Sequence, residues 1–361
     1  MSGVKKKIGV LTGGGDCPGL NAVIRAIVKT AINIYGYDVI GFKDGFEGLI
    51  FNHFKKLTLS DVSGLLDKGG TILGTTNSFN PFKMLVDHDG EKQERDMSGR
   101  MLDTLKLHEI DCLIVIGGNN TIRTAHKLTE LGVKVIAVPK TIENDIPETD
   151  MSFGFMTAVN TATFALDKLH STAESHHRVM ILEVMGRNAG WVALESGIAG
   201  GADIILIPEI PYDIHSVARS ILKRKMSGKG FSIICVSEGC KPIDSAQAQD
   251  EECREEFKHN GVGNRISKEL EKLTQLEARV TVLGYLQRGG EPSPFDRILT
   301  TRLGVEAVNL AAQGQYNKMA GILNQQLSPI DLSKVVGRSK TVPVDGELVR
   351  IARNMGVSFG D

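Results

Sequence analysis

The sequence predicts an α/β protein of two three-layer domains, each a mostly parallel sheet covered by helices. Three observations carry this. Short apolar, β-branched runs alternate with stretches of helical spacing, the pattern of βαβ units. Several of these runs end in glycine-rich turns that lead straight into a helix. The chain has 361 residues, 41% of them hydrophobic, enough for two cores.

The clearest unit runs from Leu113 to Asp145. LIVIGG and VIAVP read as buried strands, and Thr121 to Leu131 between them has helical spacing. Ligands of such units sit at the carboxyl ends of the parallel strands, so GGNNT and PKTIEND should face one crevice. Gly117 and Gly118 let the backbone approach a phosphate closely, and a helix opening near Asn119 aims N–H groups at it. Lys140 adds a cation, Thr141 a hydroxyl, and Glu143 and Asp145 carboxylates. These are the parts of a phosphoryl-transfer site.

The other elements follow in order. Lys7 to Thr12 is a strand, Gly13, Gly14 and Gly15 a tight turn, and Leu20 to Ala31 an amphipathic helix. Arg25 on that helix is equally readable as a phosphate contact or a solvated side chain. Asp38 to Phe42 is the second strand, and Asp87 to Arg100 a solvated loop and helix start. A helix over Phe155 to His170 precedes Val179 to Leu194, which repeats the sequence of strand, glycine turn and helix. Ala202 to Ile207 and Phe231 to Val236 are further strands. The polar stretch from Lys241 to Asn260 is a surface excursion, and Asp296 to Ala312 a closing helix. His176 and His177 lack a second pair at metal-ligand spacing.

A formal charge of −1 excludes a broad nucleic-acid footprint. No apolar run matches a membrane span, and the lysines at 5 to 7 lead into a strand rather than a signal-peptide core. The expectation is a cytoplasmic chain. Five cysteines without a CxxC pair read as unpaired thiols. A dinucleotide-binding oxidoreductase fits poorly, because the first loop lacks GxGxxG and no acid closes the second strand.

GGNNT and PKTIEND resemble the paired signatures of the phosphofructokinase family, written GGDGS with PGTIDND in ATP users and GGDDT with PKTIDND in pyrophosphate users. GGGDCPG is similar to the family's first phosphate loop, GGTILGTTN to its GGTxLGSxR loop, LEVMGR resembles the family's sugar-phosphate clamp, VEVMGR, and RVTVLGYLQRGG matches its last substrate motif. The resemblance covers about Lys7 to Leu327. It implies the family's two Rossmann-like domains, 1–154 plus 287–337 for the phosphoryl donor and 155–286 plus 338–361 for the sugar phosphate, with the active cleft between them. The implied reaction is phosphoryl transfer to the 1-hydroxyl of fructose 6-phosphate with Mg2+.

Residue by residue, the resemblance implies Glu143 as base, with Lys140, Thr141 and Arg187 as catalytic partners. Gly14, Asn77, Gly118, Asn119, Asn120 and Thr121 fall on donor positions. Thr141, Glu143, Arg178, Met185, Gly186, Arg187, Glu238, Arg279, Tyr285 and Arg288 fall on substrate positions, and Asn119 and Asp145 on metal positions. Arg178 and Arg279 match residues that reach a neighbouring subunit's site, which implies a homodimer or homotetramer.

Four positions depart from the family. Asn77 replaces an arginine, Asn119 an acid, and Glu143 an aspartate, while Asn120 stands where Gly or Asp selects the donor. Asn120 is nearly isosteric with the aspartate of pyrophosphate users and Lys140 matches their lysine, so the residues favour pyrophosphate over ATP. An added methylene at Glu143 shifts the carboxylate by about 1 Å, a displacement able to cost roughly a hundredfold in rate if nothing compensates. The contrasting reading is therefore a sugar-phosphate-binding paralogue with weak or no catalysis, and the sequence ranks the enzyme ahead of it.

Overall fold

The computed structural model describes residues 5–76, 80–88, 91–243 and 251–361, with the side chains of 87, 88, 91 and 251–260 excepted. Two compact units emerge. Unit 1 comprises 1–142, 146–154 and 288–339, and unit 2 comprises 143–145, 155–287 and 340–361.

Unit 1 opens with β1 (Lys7–Thr12), α1 (Leu20–Asn33), β2 (Asp38–Phe42), α2 (Phe46–Phe51) and β3 (Phe54–Leu57). A hairpin of β4 (Met84–His88) and β5 (Glu91–Arg95) follows, then α3 (Ser98–Leu107). Next come β6 (Cys112–Gly117), α4 (Asn119–Glu130), β7 (Val135–Thr141) and β8 (Phe153–Gly154). The hairpin corrects the expectation of a solvated loop over Asp87 to Arg100. Its strands are largely polar and no described side chain in them is fully buried, so period-2 alternation could not reveal them.

Unit 2 contains α5 (Phe155–His176), β9 (Val179–Val184), α6 (Trp191–Ala199), β10 (Ile204–Leu206), α7 (Ile214–Met226) and β11 (Ser232–Ser237). It continues with α8 (Glu251–Thr274), broken at Gly261, and β12 (Ala278–Val282). Residues 244–250 of the expected surface excursion lie outside the described residues, and 251–260 are helical backbone. The chain then returns to unit 1 for α9 (Pro294–Ala312), β13 (Lys318–Leu323), β14 (Gln326–Asp331) and α10 (Leu332–Val335), and ends in unit 2 with α11 (Glu347–Asn354).

The sheet of unit 1 runs β14-β13-β7-β6-β1-β2-β3, with β8 added to β7. Its centre is parallel, and the edges β3 and β14 pair antiparallel. β1 is followed by β2 on one side and β6 by β7 on the other, so their carboxyl ends flank a topological switch point, where α/β sheets bind ligands. One core of this unit joins Leu11, Leu113, Val115 and Ala137 to Ile122, Ala125 and Leu128 of α4. The sheet of unit 2 is parallel in the order β10-β11-β9-β12, with Ile181, Ile234, Ile221 and Ile266 in its core. Strands buried on both faces explain why these segments read as unbroken apolar runs.

The units part at Gly154, Gln287 and Ser339, and residues 143–145, assigned from sequence to the first domain, pack with unit 2. The reason is local: Glu143 accepts a hydrogen bond from the Arg187 amide, and Lys340 bonds both Asn144 and Asp145. Four cysteines, Cys17, Cys112, Cys235 and Cys240, are buried and unpaired. No helix of the described residues is long and apolar enough to cross a membrane.

A Cβ at Gly304 on α9 would stand 2.7 Å from Ala26 Cβ and 3.0 Å from the Val23 carbonyl on α1. Gly304→Val should therefore destabilise the protein by about 1–3 kcal/mol, and an unchanged urea midpoint would contradict this packing. Burial pushes the Glu195 carboxyl up from 4.5 to about 7, against the opposing charge of Lys340. With its folded value above the unfolded one, Glu195 contributes stability that is fully present below about pH 4.5 and lost as pH rises through about 7. Glu195→Gln should raise the urea midpoint relative to the parent more at pH 8 than at pH 5; equal effects at both would refute the assignment.

Candidate active site

In unit 1 the loops after β1 and β6 are locked together. The Gly13 amide donates to the Ile116 carbonyl (2.9 Å) and the Gly14 amide to that of Thr76 (3.0 Å). The Thr75 hydroxyl donates to the Gly14 carbonyl at 2.6 Å. Thr121, buried in the first turn of α4, fills the gap: a Cβ at Gly13 would come within 2.7 Å of it and one at Gly117 within 2.4 Å. Glycine at both positions is a steric requirement of this close approach.

Lys140, the penultimate residue of β7, is only 4% exposed. Its ammonium donates to the Gly15 carbonyl, and a Cβ at Gly14, whose φ is 81°, would lie 3.3 Å from Nζ. Arg288 covers the other side of the loop, its guanidinium 2.5 Å from where a Gly15 Cβ would be. Two cations thus meet a backbone turn at the switch point. Alongside, α4 starts from Gly118, with Asn119, Asn120 and Thr121 as its first residues and no acid in its first turn. Helix N-termini present free N–H groups and positive potential. This corner of unit 1 is an anion site in its chemistry.

Cys17, adjacent in sequence, is no nucleophile: burial pushes its thiol up to about 12 despite the nearby Lys140 charge. Asn77 lies outside the described residues. Lys83 is exposed and ion-pairs with Glu94 at 3.8 Å.

In unit 2 three loops converge at the carboxyl ends of β9, β11 and β12. The turn after β9 is Met185-Gly186-Arg187. Gly186 has φ 147°, and a Cβ there would stand 2.3 Å from Ser237 Oγ; that hydroxyl donates to the Gly186 carbonyl at 2.6 Å. The Gly239 amide donates to the same carbonyl (3.1 Å), and the Glu238 amide to that of Val184 (2.9 Å). Arg187 and Glu238 are exposed on this frame. Glu143 joins them, one carboxylate oxygen accepting the Arg187 amide at 3.2 Å. The 3-10 turn Gly284–Gln287 leaves Tyr285 78% exposed.

The sequence reading missed Gln287. Fully buried, it accepts the Met185 amide at 3.2 Å and donates to the Gly284 carbonyl at 3.0 Å, tying the loop after β12 to the one after β9. Its only signal was its place inside LQRGG. Glu277 was also missed. Arg178 Nε donates to it at 2.5 Å and Arg279 pairs with its other oxygen; the Arg178 hydrogen bond, with the two positive charges, holds the Glu277 carboxyl below the usual range. Arg178 precedes β9 and Arg279 is the second residue of β12, so both stand at the amino ends of strands whose carboxyl ends carry Arg187 and the Tyr285 turn. A six-residue strand spans roughly 20 Å. The structure therefore groups Glu143, Met185, Gly186, Arg187 and Glu238 in unit 2, and Gly14, Gly118, Asn119, Asn120, Thr121, Lys140 and Arg288 in unit 1. Arg178 and Arg279 form a separate pair. Thr141 ends β7, its carbonyl accepting from Ser152 Oγ at 3.0 Å, and Asp145 lies in unit 2 with its carbonyl bonded to the Lys340 amide.

Comparison with known proteins agrees with these motifs. The family model described as Phosphofructokinase matches residues 7–311. ATP-dependent 6-phosphofructokinase 2 of Clostridium perfringens is 50% identical, covering 99% of each chain, and ATP-dependent 6-phosphofructokinase of Chloroflexus aurantiacus is 49% identical over 100% of this chain and 99% of its own. Among solved structures, Pichia pastoris phosphofructokinase in the T-state superposes with a TM-score of 0.79 at 29% identity, covering 92% of this chain and 35% of that one. The pyrophosphate-dependent phosphofructokinase of Nitrosospira multiformis, at 22% identity, shares the fold with a TM-score of 0.82 over 99% and 93% of the two chains. Matched along nearly its whole length by model, relatives and fold, the chain belongs to the phosphofructokinase family.

Proposed function

We propose that this chain is a 6-phosphofructokinase that transfers the terminal phosphoryl group of ATP to the 1-hydroxyl of fructose 6-phosphate in glycolysis. The observation that carries the reading is the hydrogen bond between the Glu143 carboxylate and the Arg187 amide. A carboxylate able to take a hydroxyl proton is thereby built into the turn that resembles the family's sugar-phosphate clamp. The longer side chain at 143 reaches that turn, which supports an active enzyme over an impaired paralogue.

In this scheme Arg187 and Glu238 bind the sugar phosphate, Arg187 by its cation and Glu238 by accepting hydroxyl hydrogen bonds. Glu143 removes the proton from the attacking oxygen. Thr141, two residues before the base in sequence, supplies a hydroxyl. Lys140 and the first N–H groups of α4 offset the charge of the donor phosphates in unit 1. Asn119 offers an amide oxygen and Asp145 a carboxylate, and no cluster of three or more His, Cys, Asp or Glu able to hold a metal occurs among the described residues. Each is an oxygen of the kind magnesium takes when it is carried largely by donor phosphates, with one or two protein ligands. Bound there, the ion would neutralise phosphoryl charge.

ATP stands first as donor because relatives 47–50% identical over nearly the whole chain are named ATP-dependent, whereas pyrophosphate-dependent structures are 21–22% identical. The pyrophosphate reading keeps one specific support, the buried Lys140 against Gly14 and Gly15, a cation well placed for a compact anion. The opposed placement of Arg178 and Arg279 supports a homo-oligomer, dimer or tetramer, in which these two arginines serve a neighbouring copy's sugar-phosphate site.

Three measurements test this. A coupled assay with fructose 6-phosphate, magnesium and each donor should show turnover with ATP; turnover with pyrophosphate alone would overturn the donor assignment. Glu143→Gln should lower kcat by about 10²–10⁴-fold with the KM for fructose 6-phosphate within roughly threefold, and full activity would remove Glu143 as base. Lys140→Met, close to isosteric, should raise the donor KM at least about tenfold, the loss of one charge-assisted contact, and leave fructose 6-phosphate binding unchanged by titration.

A further inference from the structure

The turn carrying Glu143 is held by a residue from the far end of the chain. Asn144 sits in the left-handed region with φ 51° and is 4% exposed. Its side-chain oxygen accepts a hydrogen bond from Lys340 Nζ at 3.0 Å. The backbone amide of Lys340 donates to the Asp145 carbonyl at 2.8 Å. On the other side, the Lys340 carbonyl accepts from Trp191 Nε1 at 3.1 Å, and the ammonium stands 5.7 Å from the centre of the Trp191 ring. Amide, carbonyl and ammonium of one residue thus each hold a neighbour, two on the base turn and one on α6.

That anchorage is itself fixed. Glu209 accepts the Gly190 amide with both oxygens (3.0 and 3.1 Å) and the Val342 amide at 2.7 Å. The start of α6 and the segment 340–342 are therefore one piece. Glu195, one helical turn beyond Trp191, feels the Lys340 charge from the same helix. A lysine serving only solubility would not be threaded between a buried asparagine and an indole. Glu143 is bound to the Arg187 amide at 3.2 Å, so its neighbours Asn144 and Asp145 decide how the carboxylate is presented.

We propose that Lys340 is a positioning residue for the base: by fixing Asn144 and Asp145 it sets the placement of the Glu143 carboxylate beside Arg187. The proposal rests on the assignment of Glu143 as base. A carboxylate displaced by about 1 Å loses on the order of 10²-fold in rate while the bound sugar phosphate keeps its contacts, so the signature is a fall in kcat without a matching change in KM.

The test uses the full-length chain and the variants Lys340→Met, Lys340→Arg, Asn144→Ala and Glu143→Gln. Fluorescence of the single tryptophan and the urea midpoint monitor folding. Lys340→Met should lower kcat about 10- to 100-fold with the KM for fructose 6-phosphate within about threefold. Lys340→Arg, which keeps a cationic donor, should return kcat to within about fivefold of the parent. An unchanged kcat in Lys340→Met overturns the proposal, as does equal loss in the Met and Arg variants in step with lowered stability. Should Lys340→Met fail to fold, Asn144→Ala removes the same bond from its other end, and parental kcat there overturns the proposal. Glu143→Gln separates the two claims. Full activity in that variant refutes the base assignment, and with it this proposal; loss there with parental kcat in Lys340→Met refutes the role of Lys340 alone.

Discussion

Parallel pairing of β1 with β6 is the constraint from which the donor corner of unit 1 follows. Once these strands lie side by side and their chains leave in opposite directions, the loops at their carboxyl ends must share a crevice too narrow for side chains. Glycine at 13 and 117 answers that restriction, and Thr121 fills what remains. The helix that Thr121 belongs to then points its amino end at the same place, and Lys140 arrives from the next strand over. None of these residues makes an anion site by itself. Strand order brings them together.

Unit 2 solves a different problem, the placement of an exposed arginine and an exposed glutamate on a rigid frame. Backbone and buried polar groups do the work. The Gly186 carbonyl accepts both Ser237 Oγ and the Gly239 amide, Gln287 holds the Met185 amide, and Glu143 takes that of Arg187. A buried polar group without partners is costly, so each such bond also penalises alternative arrangements of the turn. Precision at Arg187 is thus inherited from residues that never touch a substrate.

Much of this was legible in the sequence, because doubly covered strands write themselves as apolar runs and tight βα turns as glycine. KIGVLT, DVIGF, LIVIGG and VIAVP all became interior strands within about two residues of the bounds read, and Gly14, Lys140 and Thr121 met in one corner. The hairpin of β4 and β5 was hidden because it buries no continuous face; only the Asp-Gly pair at 89 and 90 carried a turn signal. The tail after α9 was unreadable for a related reason. Its edge strand β14 is mostly exposed, with no apolar alternation, the short run of β13 had no legible partner, and its last segment belongs to the other unit. The attachment of Glu143 to unit 2 left no local trace, since it depends on Arg187 and Lys340, both distant in sequence. Gln287 and Glu277 were passed over because an isolated Gln or Glu within a motif gives no clue to burial or pairing.

The interleaving of the two units has a consequence for synthesis. Lys340 and Asn144 are 196 residues apart, and at about 5–20 residues per second the ribosome needs roughly 10–40 s to cover that interval. The turn bearing Glu143 therefore leaves the exit tunnel long before its fastening exists. Unit 2 can collapse around its parallel sheet in the meantime, but its reactive turn acquires a settled shape only when the segment around Lys340 emerges.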